Sequence, residues 1–280
     1  MNLFEELQQL MLKYNFKPEK KLSQFFCTNE ALLIYMSQKA QIKNGDTILE
    51  IGAGTGFLTK KLLEKTKNQK NTKIIVIEQD KNMVNILENE YKKEIEDKKL
   101  EIIYGDALEQ DFVKLKINKI VSLPPYHIST ALTNKIILSN IEKSILVVDR
   151  GFALKVTAFE GLTEYNALSA FVNLNSKIEI LEENISATSF FPTPNCLSSL
   201  IQINLDKKNT SKEYFLFLKE IFRHKNKDLS KSLKQSEKEL TKTLKIKNYK
   251  QKTKTIKTLT KKVYLHTPKE LLQVYEEITK

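Results

Sequence analysis

The sequence predicts an α/β protein in which a doubly wound, mostly parallel sheet is followed by a small helical domain. Five short apolar segments alternate with helical segments between residues 47 and 159, a pattern typical of a parallel sheet with helices on both faces. A glycine-rich turn joins the first strand to its helix, as in Rossmann-like folds. After residue 211 the apolar spacing is helical only, and 280 residues suffice for both parts.

The elements can be placed in order from the apolar pattern. The predicted parallel strands are 47–51, 73–77, 100–104, 117–121 and 144–148. Two alternating segments, 176–181 and 198–204, predict a hairpin at the sheet edge. Thr28 is the predicted cap of the helix before the first strand. The polar run 206–211 predicts a linker, which gives domains of residues 1–207 and 208–280.

The charge is unevenly distributed along the chain. The formal net charge is +12, and the last 70 residues hold 19 Lys and Arg against 8 Asp and Glu. A basic segment of this kind favours a polyanionic partner, because lysines that neutralise phosphates release counterions. A lysine-rich but merely solvated helical surface explains the charge equally well at this stage.

Other functional classes are excluded by what the sequence lacks. Cys27 and Cys196 form no paired spacing, so neither a disulfide framework nor a metal site is expected. The N-terminal residues are acidic, unlike a signal peptide, and no apolar run reaches the ~20 residues that cross a bilayer. We therefore expect a cytoplasmic monomer with no membrane partner.

The strongest motif is the glycine loop, which predicts a cofactor site. Gly52, Gly54 and Gly56 follow the first strand and let the backbone approach a ligand closely, while the next helix offers free amides. Their G-x-G-x-G spacing departs from the dinucleotide fingerprint G-x-G-x-x-G. Glu78 ends the second strand and is placed to accept from ribose hydroxyls. The alternative is a purely structural turn.

Two further acids favour S-adenosylmethionine as the cofactor over a dinucleotide. Glu50 lies at the end of the first strand, and Asp106 follows the third. A carboxylate at the latter position can accept a hydrogen bond from the adenine amino group.

A second loop is the candidate catalytic segment. Leu123, Pro124, Pro125 and Tyr126 follow the fourth strand, at the sheet edge where ligands of open sheets bind. The prolines leave backbone carbonyls free to accept from an amino group, and Tyr126 can stack on a base. The alternative is a plain turn with Tyr126 packed in the core.

None of the three histidines is favoured as a catalytic residue, although His127 could act as a proton shuttle. His127 is interpreted as an exposed loop residue and His266 as an ordinary surface residue. His224 belongs to a basic cluster with Arg223, Lys225 and Lys227, which is the candidate phosphate contact.

Taken in order, these motifs resemble the KsgA-type small-subunit ribosomal RNA adenine dimethyltransferases, which are similar to the erythromycin-resistance rRNA methylases. The matching segments are residues 21–26, 49–56, 77–80, 105–108, 160–169, 191–194 and 221–227. The resemblance implies a class I methyltransferase fold, S-adenosylmethionine as the cofactor, and small-subunit rRNA in a pre-ribosomal particle as the partner. It also implies that Gln24 and Phe26 contact the cofactor.

One departure from the family concerns the catalytic loop, which the family writes as N-L-P-Y-x-I-S. Aligned without gaps, Leu123 replaces the asparagine that accepts from the target amine, and Ser23 replaces a glycine of the first motif. Ser122 is a candidate substitute if the loop shifts by one residue.

Three functions remain open from the sequence. The first is N6-methylation of adenosines near the 3′ end of small-subunit rRNA, with backbone carbonyls of Leu123 and Pro124 as acceptors and weakened activity. The second is a catalytically weak or inactive ribosome-assembly factor that binds rRNA. The third is a mitochondrial transcription helper, which the lack of a basic, acid-poor leader at residues 1–20 disfavours.

Overall fold

The computed structural model describes residues 1–19, 24–139, 141–206, 211–255 and 260–280. The chain divides into two compact units, Met1–Ala153 with Glu179–Asn204, and Leu154–Ile178 with Leu205–Lys280. The sequence analysis expected a single domain boundary at residue 207. The structure instead groups residues 154–178 with the C-terminal helices. Most of the expected linker lies outside the described residues.

Seven of the strands in the described residues lie where the apolar pattern predicts them, and two strands of two residues each were not predicted. In chain order they are β1 Phe26–Cys27, β2 Thr47–Ile51, β3 Lys73–Glu78, β4 Leu100–Tyr104, β5 Lys119–Ser122, β6 Lys143–Asp149, β7 Ser176–Ile185, β8 Phe190–Phe191 and β9 Ser198–Leu205. Strands β2, β3, β5 and β6 are almost entirely buried, as expected for runs of Ile and Val in a parallel sheet.

The main sheet has seven strands in the order β4-β3-β2-β5-β6-β9-β7. The first five in this order are parallel, and β9 pairs antiparallel to β6. The predicted hairpin at the sheet edge is thus confirmed, with β7 outermost. A separate two-stranded sheet pairs β1 with β8, so that Phe26 lies opposite Phe191. The doubly wound α/β fold is confirmed.

Helices connect these strands and continue after them. They are α1 Leu3–Lys13, α2 Glu30–Lys39, α3 Phe57–Thr66, α4 Lys81–Glu90, α5 Lys92–Glu96, α6 Ser129–Leu138, α7 Arg150–Thr157, α8 Ala167–Asn175, α9 Lys212–Phe222, α10 Leu229–Leu244, α11 Tyr249–Thr255 and α12 Pro268–Thr279. The cap of α2 is Asn29, whose side chain accepts from the Leu32 amide, so the prediction of Thr28 is wrong by one residue.

The second unit is a helical unit with an aromatic core. Phe171 of α8 contacts Tyr214 and Phe215 of α9, which explains why residues 154–178 belong here. Tyr214 and Phe217 in turn contact Tyr275 of α12. Such pairs combine burial of large apolar surfaces with favourable ring geometry.

His266 is fully buried in this second unit, so the expectation of a surface residue is wrong. Its Nε2 lies 3.2 Å from the Lys261 carbonyl, and its own carbonyl accepts from the Tyr165 hydroxyl. Burial lowers the pKa of His266, which favours the neutral ring. The mixed segment around His266, with Val263 to Leu265 before it and Thr267 to Glu270 after it, does not indicate this burial.

None of the helices formed by the described residues is long and apolar enough to cross a membrane.

Candidate functional site

The glycine loop lies at the carboxyl edge of β2, as predicted. Gly52, Gly54 and Gly56 have φ angles of 67°, 55° and 84°, in the left-handed region that favours glycine. Gly52 and Gly54 line a cleft. Gly56 begins α3 instead, and its carbonyl accepts from the Tyr91 hydroxyl at 2.7 Å. Two glycines of the loop therefore line the cleft, and the third caps the following helix.

The cleft consists of two adjoining recesses of about 670 Å³ and about 900 Å³. Both are lined by Gln24, Gly52, Glu78 and Pro125, which join them into one site. We call the smaller the first recess and the larger the second recess. The site lies at the carboxyl ends of the parallel strands, where open α/β sheets bind their ligands.

Glu78 is the central side chain of the cleft. Its Oε1 accepts from the amides of Gln79 and Asp80 at 2.9 and 3.0 Å, and its Oε2 accepts from the Gly54 amide at 3.0 Å. Burial raises the pKa of Glu78, while these backbone donors favour its charged form. Since a carboxylate oxygen has two acceptor sites, Oε2 retains one for a ligand hydroxyl.

Glu50 is a second buried carboxyl on the first recess, and it was not among the predicted site residues. It is 2% exposed, and the Thr59 hydroxyl donates to its Oε2 at 2.6 Å. Burial and the charge of Glu78 raise the pKa of Glu50 to about 8. Its place directly before the glycine loop was the available signal, which the sequence argument used only to choose the cofactor.

The N-terminal segment contributes Gln24 and Phe26 to the cleft, as the resemblance implies. The Gln24 amide donates to Asp80 Oδ2 at 2.5 Å, which ties this segment to the end of β3. Phe26 lies so close to the loop that a Cβ on Gly54 would be 2.9 Å from its ring. Ser23, the departure in this motif, lies outside the described residues.

The second recess extends past β4. It is lined by Gly105 and Ala107, the neighbours of the predicted adenine acid Asp106. Asp106 itself is partly exposed, and its Oδ1 accepts from the Leu108 amide at 2.7 Å. This bond shapes the loop, and since a carboxylate oxygen has two acceptor sites, both oxygens of Asp106 retain a site for a ligand.

Only some of the catalytic-loop candidates line the cleft. Leu123 and Pro125 line the cleft, whereas the side chain of Pro124 is buried and lines neither recess. Among the described residues, no hydrogen-bond donor contacts the carbonyls of Leu123 and Pro124. Ser122 cannot replace the missing asparagine, because its buried hydroxyl is shared between the Ile51 amide and carbonyl.

Tyr126 and His127 begin the turn after this loop. The Tyr126 hydroxyl lies 2.5 Å from Ser198 Oγ, and burial raises the pKa of Tyr126 to about 12. His127 is exposed, as predicted, and lines the second recess. Ser198 was not predicted, and no sequence pattern links it to a residue 72 positions earlier.

The basic cluster lies in the second unit, after α9. Arg223 pairs with Glu220, and the Lys225 and Lys227 amines bind the carbonyl of Thr163 and the side chain of Gln235. These contacts are all exposed, so the cations remain accessible to phosphate. His224 is half-buried between them.

The cleft fits a cationic, ribose-bearing cofactor. Two buried carboxyls, Glu50 and Glu78, border the first recess. Backbone donors favour the charged form of Glu78, and a positive charge on a bound ligand favours ionisation of Glu50 as well. A sulfonium supplies that charge, whereas the pyrophosphate of a dinucleotide would be repelled. The Gly54 amide, which could serve a pyrophosphate, is already taken by Glu78.

Comparison with known proteins decides the family. The model for ribosomal RNA adenine dimethylases matches residues 15–274. The chain belongs to this family. It is therefore an S-adenosylmethionine-dependent methyltransferase that acts on adenine in ribosomal RNA. The second function, a catalytically weak or inactive ribosome-assembly factor, is not favoured.

Relatives agree with this assignment, and a solved structure shares the fold. A probable ribosomal RNA small subunit methyltransferase A of Pyrococcus furiosus is 35% identical over 233 residues, covering 83% of this chain and 81% of the relative. The protein of the same description from Methanosphaera stadtmanae is 32% identical over 269 residues, covering 95% and 96%. A Plasmodium falciparum dimethyladenosine transferase shares the fold at 24% identity, with a TM-score of 0.74 over 90% of this chain and 96% of its own.

Proposed function

We propose that this chain methylates N6 of adenosines near the 3′ end of small-subunit rRNA while the rRNA is held in a precursor particle. The observation that carries the proposal is the single cleft in which the glycine loop, two buried carboxyls and the Leu123–Pro125 loop meet. The descriptions of the relatives as small subunit methyltransferases support the choice of rRNA.

The cofactor would be held by the first recess and the strand ends. Gly52 and Gly54 allow close backbone approach, Glu78 accepts from ribose hydroxyls, and Glu50 offsets positive charge. Gln24 and Phe26 cover the site from the N-terminal segment. Asp106 is proposed to bind the adenine amino group. S-adenosylmethionine, when bound, supplies an electrophilic methyl group.

The target adenine would be held by the loop after β5. The free carbonyls of Leu123 and Pro124 accept from its exocyclic amine, and Tyr126 stacks on its flipped base. Pro125 stiffens the loop between them. Catalysis then consists of orienting the amine nitrogen and stabilising the charge that develops on it.

Two acceptors from the backbone replace the side-chain acceptor that other family members place at position 123. Loss of one positioning acceptor typically costs about 2–4 kcal/mol of transition-state stabilisation. We therefore propose that this enzyme is slower than relatives that keep the asparagine. The comparisons support an enzyme and do not address its rate.

The second unit is proposed to bind the rRNA backbone through Arg223, His224, Lys225 and Lys227. The segment that carries them is braced by backbone bonds from Val263 to Lys227 (3.0 Å) and from Tyr264 to Lys225 (3.3 Å). A braced segment presents its cations with less loss of conformational entropy on binding.

The test is methyl transfer to immature small subunits from the chain's source. The purified chain, radiolabelled S-adenosylmethionine and these particles are incubated, and the rRNA is digested to nucleosides. We expect label in N6-methylated adenosine within the 3′-terminal fragment. Label in another nucleoside or in large-subunit rRNA would contradict the proposed target, and no label over hours would contradict the proposed activity. A cytoplasmic location and a monomeric state complete the proposal.

A further inference from the structure

The side chain of Ser198 is joined to Tyr126 of the catalytic loop. The two hydroxyl oxygens lie 2.5 Å apart, and Ser198 is fully buried. We propose that Ser198 is a positioning residue that holds the Tyr126 ring in the place where the target adenine stacks on it. This inference rests on the stacking role of Tyr126 proposed above.

The topology of the sheet explains why these two residues meet. Tyr126 follows the carboxyl end of β5, so it lies at the ligand-binding edge. Strand β9 runs antiparallel to β6, and its first residue, Ser198, is in register with Asp149 at the end of β6. The start of an antiparallel strand thus lies at the same edge as the ends of the parallel ones.

The bond anchors a loop side chain to a rigid element. On its backbone side, Tyr126 follows two prolines and opens one short turn, in which the Ile128 amide donates to the Pro125 carbonyl at 3.1 Å. On its ring side, the hydroxyl is held by a strand inside the seven-stranded sheet. With both ends held, the long axis of the ring has little freedom to swing away from a base.

The protonation state of Tyr126 is consistent with this anchor. Burial raises the pKa of Tyr126 to about 12, so the phenol keeps its proton at any pH near neutrality. The hydroxyl can then donate to Ser198 or accept from it throughout the working range.

The neighbouring residue Ser199 provides a matched control. It is equally buried, and its hydroxyl donates to the Glu183 carbonyl on β7 at 2.5 Å. Because adjacent side chains of a strand point to opposite faces, Ser199 does not share the environment of Ser198. Ser199→Ala therefore removes a buried hydroxyl and its bond from the same strand without touching Tyr126.

The experiment compares Ser198→Ala, Tyr126→Phe, the double variant and Ser199→Ala in the full chain. The first readout is the single-turnover rate of methyl transfer to immature small subunits. Loss of one buried hydrogen bond is expected to lower that rate about 5- to 20-fold in either single variant. The double variant should be no slower than the singles, because both changes remove the same bond. Ser199→Ala should keep the wild-type rate.

The second readout separates positioning from stability. Particles or rRNA carrying 2-aminopurine at the target position should show fluorescence quenching on binding to the wild type, and weaker quenching with Ser198→Ala. The affinity for S-adenosylmethionine, measured by calorimetry, should be the same in all four variants. If Ser198→Ala lowers Tm more than Ser199→Ala does, the rate of Tyr126→Phe separates positioning from stability. This variant removes the same hydrogen bond from the loop side.

The outcomes are distinguishable. The role of Ser198 would be overturned if the rate losses of the two single variants multiplied in the double variant. It would also be overturned if Ser198→Ala had the wild-type rate and the wild-type fluorescence quenching. Tyr126→Ala tests the foundation separately. If that variant methylates and quenches like the wild type, the stacking role of Tyr126 fails, and with it the proposed use of the loop.

Discussion

The buried carboxyl Glu50 makes a quantitative prediction about pH and stability. Its pKa is raised from 4.5 to about 8 in the folded chain. The folded state therefore holds this proton more tightly than the unfolded state, and the group stabilises the fold below pH 4.5. That contribution is lost as the pH rises towards the folded pKa. The full difference is roughly 5 kcal/mol, of which roughly 3 to 4 kcal/mol falls between pH 5 and pH 8.

The perturbation is Glu50→Gln, which keeps the shape and an acceptor for Thr59 but cannot ionise. The free energy of unfolding is measured by urea titration without cofactor at several pH values from 5 to 8, for both proteins. We expect the wild type to lose about 3 kcal/mol relative to the variant across this range. Any pH-independent cost of the amide cancels in this comparison.

A control variant and a measurement with bound cofactor test whether Glu50 causes this pH dependence. Glu88→Gln, on the exposed face of α4, removes a carboxylate outside the cleft and should follow the wild type. Cationic S-adenosylmethionine should reduce the change with pH in the difference in unfolding free energy between wild type and Glu50→Gln. The reason is that a positive ligand favours the ionised form of Glu50. A constant difference between wild type and Glu50→Gln from pH 5 to pH 8 would show that Glu50 is not a raised, buried acid.

Three other predictions concern the loop, the glycines and the basic cluster. Leu123→Asn restores a side-chain acceptor and should raise the methyl-transfer rate, by up to about 10²-fold; an unchanged or lower rate would show that the backbone carbonyls suffice. Gly54→Ala should weaken cofactor affinity at least about 10-fold in calorimetry, because its Cβ would press on Phe26 at a positive φ. Gly45→Ala, at a similar φ with open space around it, is the control and should bind normally. Arg223→Gln with Lys227→Gln should reduce the slope of log affinity for rRNA against log salt by about 1 to 2, and an equal slope would exclude both from phosphate contact.

Much of the fold and part of the cleft could be predicted because the signals are local. The strand runs, the glycine loop and Glu78 lie within single strand–turn–helix units, where a few neighbouring residues decide the backbone. The carboxyl-edge rule then placed Leu123 and Pro125 beside Gly52, as the structure shows. The misplaced cap at Thr28 is a one-residue error between two residues that are both good caps.

The errors and omissions share a different cause, which is packing between distant segments. His266 is buried because Tyr165 and Lys261 close around it, and residues 154–178 join the second unit because Phe171 meets the aromatic side chains of α9. Neither relation leaves a periodic trace in the sequence.

By itself, the sequence determined the class of the protein: a doubly wound sheet, a methyl-donor loop and a loop that departs from its family at Leu123. The tertiary structure decided how those parts act together. It placed Glu50 and Glu78 on one recess and joined Tyr126 to Ser198. It also showed that the Ser122 hydroxyl donates to the Ile51 carbonyl on the neighbouring strand. The physical reason is that pKa values, acceptor availability and ring orientation depend on what surrounds an atom in space, and local sequence does not specify those surroundings.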